Sequence, residues 1–263
     1  MIGWDRNNLS HFQNGGENMS MIGVDISEHN GLINFDTLVK NINFAIIRIG
    51  YGVQYLPDRQ KDKQFERNYS GLYGRIPVGI YYYSYAKKPG DGKKEAQNCL
   101  KYLNGRDLDL PIFYDVEDPS MGYYVNEVTR EFVDVIRSAG YTPGVYTYKN
   151  WLDTKKLDQS RFGDCVKWFA AYGVNNGAFS GSAPSGADIW QYTSRALIPG
   201  IHGDVDANLS YINFGMGGKK KMAYYDEAWK RAQELGIVSS SKPEEKPDKG
   251  WIIYILYKLG VIK

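Results

Sequence analysis

The ten residues from Asp109 to Asp118, DLPIFYDVED, run from an apolar stretch straight into three carboxylates. Side chains alternate along an extended chain, so Asp115 and Glu117 share one face while Val116 and Asp118 take the other. Two carboxyl groups held that close repel when both are ionised. One pKa is pushed up, leaving a protonated acid beside an ionised partner near neutral pH. A glycosidic bond needs such a pair, because its leaving oxygen must receive a proton while a second group answers the positive charge developing at the anomeric carbon. Acids recur in two other motifs, Asp25 in GVDISEHNG and Asp204 with Asp206 in GDVDANLSY, and an aromatic-amide triplet, Trp190-Gln191-Tyr192, stands in IWQYTS. An isolated D-x-E is often no more than a solvated strand end; the further acids on separate segments make this one a candidate. Clustered carboxylates also suit Mg²⁺ or Ca²⁺. His29 and His202, however, lack the spacing of metal ligands, and no glycine-rich phosphate loop, Ser-His-Asp order or Cys-His signature stands out. The expectation is carboxylate chemistry with no metal and no cofactor.

For those acids to act together, their segments must end in one place. Short β-rich runs recur every 25 to 35 residues or so from Ile22 onward, the spacing of repeated strand-helix units. The first five are IGVDIS from Ile22, NFAIIRIGYG from Asn43, IPVGIYYYSYA from Ile76, DLPIFYDVED from Asp109 and TPGVYTYKN from Thr142. Several are apolar nearly throughout, as strands covered on both faces are. Helical segments separate them: FDTLVKN, KQFERNYSGLYG, GKKEAQNCLKYLNG and VNEVTREFVDVIRSAG. The last has Val125, Val128, Phe132, Val135 and Ile136 at helical spacing and Gly140 as its stop. Beyond Trp151 the rhythm changes, and KWFAAYG from Lys167, ADIWQYTS from Ala187 and the stretch from Asp204 to Tyr211 read as three strands joined by Gly- and Ser-rich loops. The expected fold is α/β, an irregular TIM-like barrel of five β/α units plus three strands, whose C-terminal strand ends share a common mouth.

Residues 22–215 are expected to form that barrel, and 216–221 a linker. Residues 222–263 read as a small C-terminal helical module built on YYDEAWKRAQELGIV and WIIYILYKLGVIK, which packs on the barrel, binds cell wall or drives self-association. Residues 1–20 show no basic region followed by an apolar one, so they read as a leader or a cloning remnant and not as a secretory signal. The 43% hydrophobic and 24% charged content is that of a globular chain, and no apolar run approaches the eighteen or so residues of a membrane span. A net charge of +2 is too even to point to nucleic acid. Cys99 and Cys165 suit neither a zinc motif nor a disulfide framework and read as buried thiols. The 22 tyrosines and 6 tryptophans fit a core and a sugar cleft equally, so composition does not separate the two.

In that order, GVDISEHNG, FYDVED, IWQYTS and GDVDAN resemble the motifs of glycoside hydrolase family 25, the muramidases of bacteriophage endolysins and bacterial autolysins, over residues 22 to about 214. The resemblance implies an irregular barrel of the kind read above. It also implies hydrolysis, with retention, of the β-1,4 bond between N-acetylmuramic acid and N-acetylglucosamine in bacterial peptidoglycan. It matches Glu117 to the family's general acid, Asp115 to its neighbouring carboxylate, Asp25 to the acid of the first strand, and Asp206, with Asp204 as the alternative, to the acid of the V-D-x-N motif. Tyr51, Tyr83, Tyr148, Trp190, Gln191 and Asp204 are the expected sugar-binding residues. In the family a second carboxylate either attacks the sugar or orients the substrate's acetamido group to do so; substrate assistance by Asp115, with Asp206, is the reading taken. The tail from Met222 departs from the choline-binding repeats and SH3-like modules of some members. A chain made in the host cytoplasm that reaches the wall after release, as phage endolysins do, fits the missing signal. A chitinase-like hydrolase would carry further acids ahead of the D-x-E, where Leu110 to Tyr114 supply none. A non-catalytic sugar-binding barrel would not need Glu117.

Overall fold

The computed structural model describes residues 21–214. Eight strands close a barrel in sequence order: β1 (Met21–Ile26), β2 (Phe44–Tyr51), β3 (Val78–Tyr83), β4 (Ile112–Asp115), β5 (Pro143–Tyr148), β6 (Val166–Ala170), β7 (Ile189–Ala196) and β8 (Val205–Ser210). Each coincides with one of the runs expected to be a strand, β1 and β6 starting one residue before their runs and β7 ending two residues after its own. Around them stand α1 (Phe35–Leu38), α2 (Pro57–Gln60), α3 (Phe65–Leu72), α4 (Asp91–Leu103), α5 (Val125–Ser138) and α6 (Lys149–Asp153). The segments FDTLVKN, KQFERNYSGLYG, GKKEAQNCLKYLNG and VNEVTREFVDVIRSAG hold α1, α3, α4 and α5; α2 and α6 are too short to show an apolar period. The expectations for the leader, the linker and the C-terminal module lie outside the described residues. No helix among the described residues is long and apolar enough to cross a membrane.

Alternation along the strands divides the core in two. Val24, Ile26, Ile47, Val78, Tyr82, Tyr114, Val116 and Trp190 face outward and pack with Leu72, Ala96, Leu103, Val128 and Phe132 of the helices. Phe44, Ile46, Phe113, Tyr146, Trp168 and Ile189 form a separate cluster inside the barrel. The Trp168 ring is central to it, 5.2 Å from Phe113, 4.4 Å from Tyr146 and 5.9 Å from Tyr81 between ring centres. Two glycines admit these rings: a Cβ on Gly23 would stand 2.5 Å from Phe44, and one on Gly144 2.3 Å from Phe113. The aromatic plug fills one level of the barrel, and Arg48, Asp115 and Gln191 stand at the next inward positions toward the mouth on β2, β4 and β7.

One strand runs against the rest. The β6–β7 pair is parallel, but β8 is antiparallel to both β7 and β1, because residues 197–204 are too few to carry the chain back across the barrel, whereas the longer, equally helix-free stretch 171–188 does so. The beginning of β8 therefore lies at the mouth. Reading only strand ends as the functional level fails for this strand: Asp206 reaches the mouth as its second residue.

Candidate active site

Asp25, near the end of β1, pairs in register with Asp206 of β8. Asp25 is 6% exposed. Its Oδ2 accepts from Gln191 Nε2 and from Asn208 Nδ2, both at 2.8 Å. The amides are themselves oriented: Gln191 Oε1 accepts the hydroxyls of Tyr146 at 2.8 Å and Tyr172 at 2.6 Å, and Asn208 Oδ1 accepts Trp168 Nε1 at 2.7 Å. With their oxygens taken by obligate or committed donors, both amides aim their N–H groups at Asp25. Burial pushes the Asp25 carboxyl up to about 6, and the two amide donors oppose a larger rise.

Asp115 ends β4, and its Oδ1 is buried with no hydrogen-bond partner among the described residues. Burial, then the charges of Glu117 and Asp25, hold this carboxyl well above the usual range, while Arg48 pulls the other way. Arg48 is fixed by Asp62 Oδ2 at 2.7 Å from its Nε and by Glu28 Oε1 at 2.9 Å from its Nη2. Glu117 follows the strand and is only partly buried. Burial and the Asp25 charge raise its pKa, and its contact with Tyr146 lowers it. Asp206 is raised to about 8 by burial and by Asp25 and Glu117. The acid pair read from the sequence is thus part of a group of four whose carboxyls are all raised, and Asp115 is the one with an oxygen left without a partner among the described residues.

Beside these acids a pocket of about 420 Å³ opens, lined by Glu117, Tyr146, Tyr148, Lys149, Asn150 and Tyr172 among others. That volume falls within the range of small-ligand sites. Of the four acids only Glu117 lines it.

The expected residues divide accordingly. Asp25, Asp115, Glu117, Asp206 and Gln191 are brought together, and Tyr148 lines the pocket. Tyr83 donates to Asp118 Oδ2 at 3.4 Å, and Tyr51 lies under Arg48 with its hydroxyl donating to the Arg59 carbonyl at 2.7 Å. Two expectations are corrected. Trp190 is 3% exposed, belongs to the outer core and donates to the Ala171 carbonyl; since Gln191 points inward, its neighbour on the strand must point out. Asp204 is exposed and paired with Arg195 at 3.2 Å, whereas Asp206 faces Asp25 across the β1–β8 pair. Sequence reasoning missed Arg48, Tyr146, Tyr172 and Asn208. Alternation could have found two of them, since Tyr146 precedes Tyr148 by two positions and Asn208 follows Asp206 by two. Among the described residues no three His, Cys, Asp or Glu side chains are grouped to hold a metal ion.

The sequence profile described as Glycosyl hydrolases family 25 matches residues 24–201. The lysozyme of Streptococcus phage Cp-9 is 29% identical over 181 residues, which cover 65% of this chain and 50% of that protein. Lysozyme M1 of Streptomyces globisporus is 28% identical over 213 residues, covering 71% and 66%. The chain thus spans about half the length of the phage relative. The catalytic domain of endolysin ply40 from bacteriophage P40 of Listeria monocytogenes superposes with a TM-score of 0.63 at 29% identity, over 74% of this chain and 95% of that one. With the profile matched over more than half its length and the barrel closed around the acids that the motifs predict, the chain belongs to glycosyl hydrolase family 25.

Proposed function

We propose that the chain is an N-acetylmuramidase that hydrolyses, with retention, the β-1,4 bond between N-acetylmuramic acid and N-acetylglucosamine of bacterial peptidoglycan. The observation that carries this reading is the division among the acids: Glu117 faces the open pocket while Asp25 and Asp115 are buried behind it. The names of the relatives, two lysozymes and an endolysin, support the substrate class and, with it, the cell wall as the place of action.

In this reading the Glu117 carboxyl gives its proton to the glycosidic oxygen as the C–O bond breaks, and the glucosamine side leaves as an alcohol. The acetamido oxygen of the muramic acid bonds to the anomeric carbon from the opposite face. Its N–H donates to Asp115, supplying the partner that Oδ1 lacks, and Asp206 helps to set the group's orientation. The N–H at Oδ1 and the positive charge developing beside it favour the ionised form of Asp115, against the burial that raises its pKa in the free site. Glu117, now a carboxylate, takes a proton from water whose oxygen attacks the anomeric carbon and reopens the acetamido group. Two inversions give retention.

Digestion of purified peptidoglycan, with identification of the new reducing ends, tests the proposal. Muramic acid ends are expected; glucosamine ends would assign a different bond, and an intact wall would refute hydrolysis. Glu117→Gln should lower turnover by about 10² to 10⁴ with no fall in unfolding temperature. A covalent glycosyl-aspartate trapped on Asp115 would replace substrate assistance by direct attack.

A further inference from the structure

The connection from β3 to α4 puts a tyrosine at the mouth that no sequence motif singles out. Tyr85 is 41% exposed, yet its backbone is firmly fixed. Its N–H donates to Glu95 Oε1 at 2.8 Å, and Glu95 Oε2 accepts the Tyr114 hydroxyl at 2.5 Å. Glu95 is fully buried on α4. The adjoining amides are committed as well: Ser84 N–H to the Asp115 carbonyl at 3.0 Å, Ala86 N–H to Ser84 Oγ at 3.1 Å and Lys87 N–H to Asp91 Oδ2 at 3.2 Å. The Tyr85 ring centre lies 5.1 Å from that of Tyr83 and 6.0 Å from that of Tyr51. Tyr83 donates to Asp118 Oδ2 at 3.4 Å, so the ring packed on Tyr83 stands beside the segment that carries Glu117 on from β4.

Barrel order gives the position meaning. Glu117 follows β4, with β3 on one side and β5 and β6 on the other. The pocket belongs to the β5 and β6 side, so Tyr85 and the pocket flank the acid. A bond cut at Glu117 needs a sugar on each side of it. A pyranose offers a C–H face and peripheral hydroxyls, which a tyrosine's ring face and phenol complement. A ring already immobilised by its loop and two neighbours loses little freedom on binding. We propose that Tyr85 is a further sugar-binding residue, a platform for a pyranose of the glycan strand on the side of Glu117 opposite the pocket, held in place by Glu95 and flanked by Tyr51 and Tyr83. The proposal takes its ligand class from the muramidase reading.

The test is calorimetric binding of soluble, peptide-free oligomers of alternating N-acetylglucosamine and N-acetylmuramic acid to the full chain carrying Glu117→Gln. Adding Tyr85→Ala should weaken binding about three- to tenfold, while Tyr85→Phe keeps most of the affinity. Tyr85→Trp should change its emission when the oligomer is added, a readout taken in folded protein whatever the alanine variant does to stability. A Kd within about twofold for Tyr85→Ala, or no emission change for Tyr85→Trp, overturns the inference even if the parent cuts peptidoglycan. Tyr85-dependent binding by a parent that releases no reducing ends would remove the muramidase reading alone. No binding at all would remove both.

Discussion

Replacing Asp206 by asparagine should make the protein more stable, and only at neutral and alkaline pH. Asp206 faces Asp25 across the β1–β8 ladder, and its carboxyl is raised from 3.8 to about 8, first by burial and then by the charges of Asp25 and Glu117. In the unfolded chain it titrates near its ordinary value. Between those two pH values the folded protein holds a proton that the unfolded chain has released, so folding is opposed increasingly as pH rises. The favourable contribution is complete below about pH 4 and lost as pH climbs through about 8. At about 1.4 kcal/mol for each pH unit of that interval, the ceiling is near 6 kcal/mol. Residual solvent contact and the sharing of protons with Asp25 and Glu117 bring the working figure to about half, ~3 kcal/mol.

An amide of the same size carries no charge to desolvate. Asp206→Asn should therefore match the parent in urea unfolding at pH 4 and exceed it by about 3 kcal/mol at pH 8, with an unchanged m-value. For a domain of this size that corresponds to a rise in Tm of very roughly 6 to 12 °C. Its turnover on peptidoglycan should fall. A stability offset that is the same at pH 4 and pH 8, or a loss at pH 8, would refute the reasoning, because either means that the Asp206 carboxyl is not held against its charge.

Two further outcomes follow from single contacts. Gln191→Leu removes one donor to Asp25 and deprives the Tyr146 and Tyr172 hydroxyls of their acceptor; Asp25 should then titrate above about 6 and carry the acidic limb of the pH–rate profile upward, and an unmoved limb would count against its role. Gly92→Ala would place a Cβ 2.0 Å from the Val128 carbonyl oxygen where α4 meets α5; thermal unfolding should show a loss of about 3 kcal/mol or more, and a loss under about 1 kcal/mol would mean that the helices separate easily.

Much of the fold was legible because burial on both faces writes itself as apolar runs, and the helices between them as a 3.6-residue period. The direction of β8 was not, since antiparallel and parallel strands share one alternation. Only the short, helix-free connection from Ala196 to Val205 carries that information. The site was half legible for a related reason. Its acids stand out as charges in apolar surroundings, whereas its tyrosines do not stand out among 22 of the same letter. Tyr146 orients Gln191, Tyr114 holds Glu95, and Tyr85 stands open at the rim; what separates them is the layer each occupies. Trp190 shows the cost of reading WQY as a unit. Period two allows Gln191 or its neighbours to face the mouth, and the hydrogen bond to Asp25 decides for Gln191.

The aromatic plug and the acids are one device. Trp168 fills the barrel beneath the mouth and also donates to Asn208, so the residue that excludes water from the floor is the residue that turns an amide toward Asp25. Dryness raises the pKa of every carboxyl above the plug, and directed amides hold Asp25 back from the full rise. Asp115 receives the dryness without a donor for its Oδ1 and is held well above the usual carboxylate range. A difference in proton affinity between two acids of the same type therefore comes from which of them the amides reach, a choice made by Gln191 and Asn208 on the two strands of the hairpin that closes the barrel. The same arrangement explains why folding and chemistry pull against each other here: carboxyls poised to hold protons near neutral pH are carboxyls whose ionised forms the folded state disfavours.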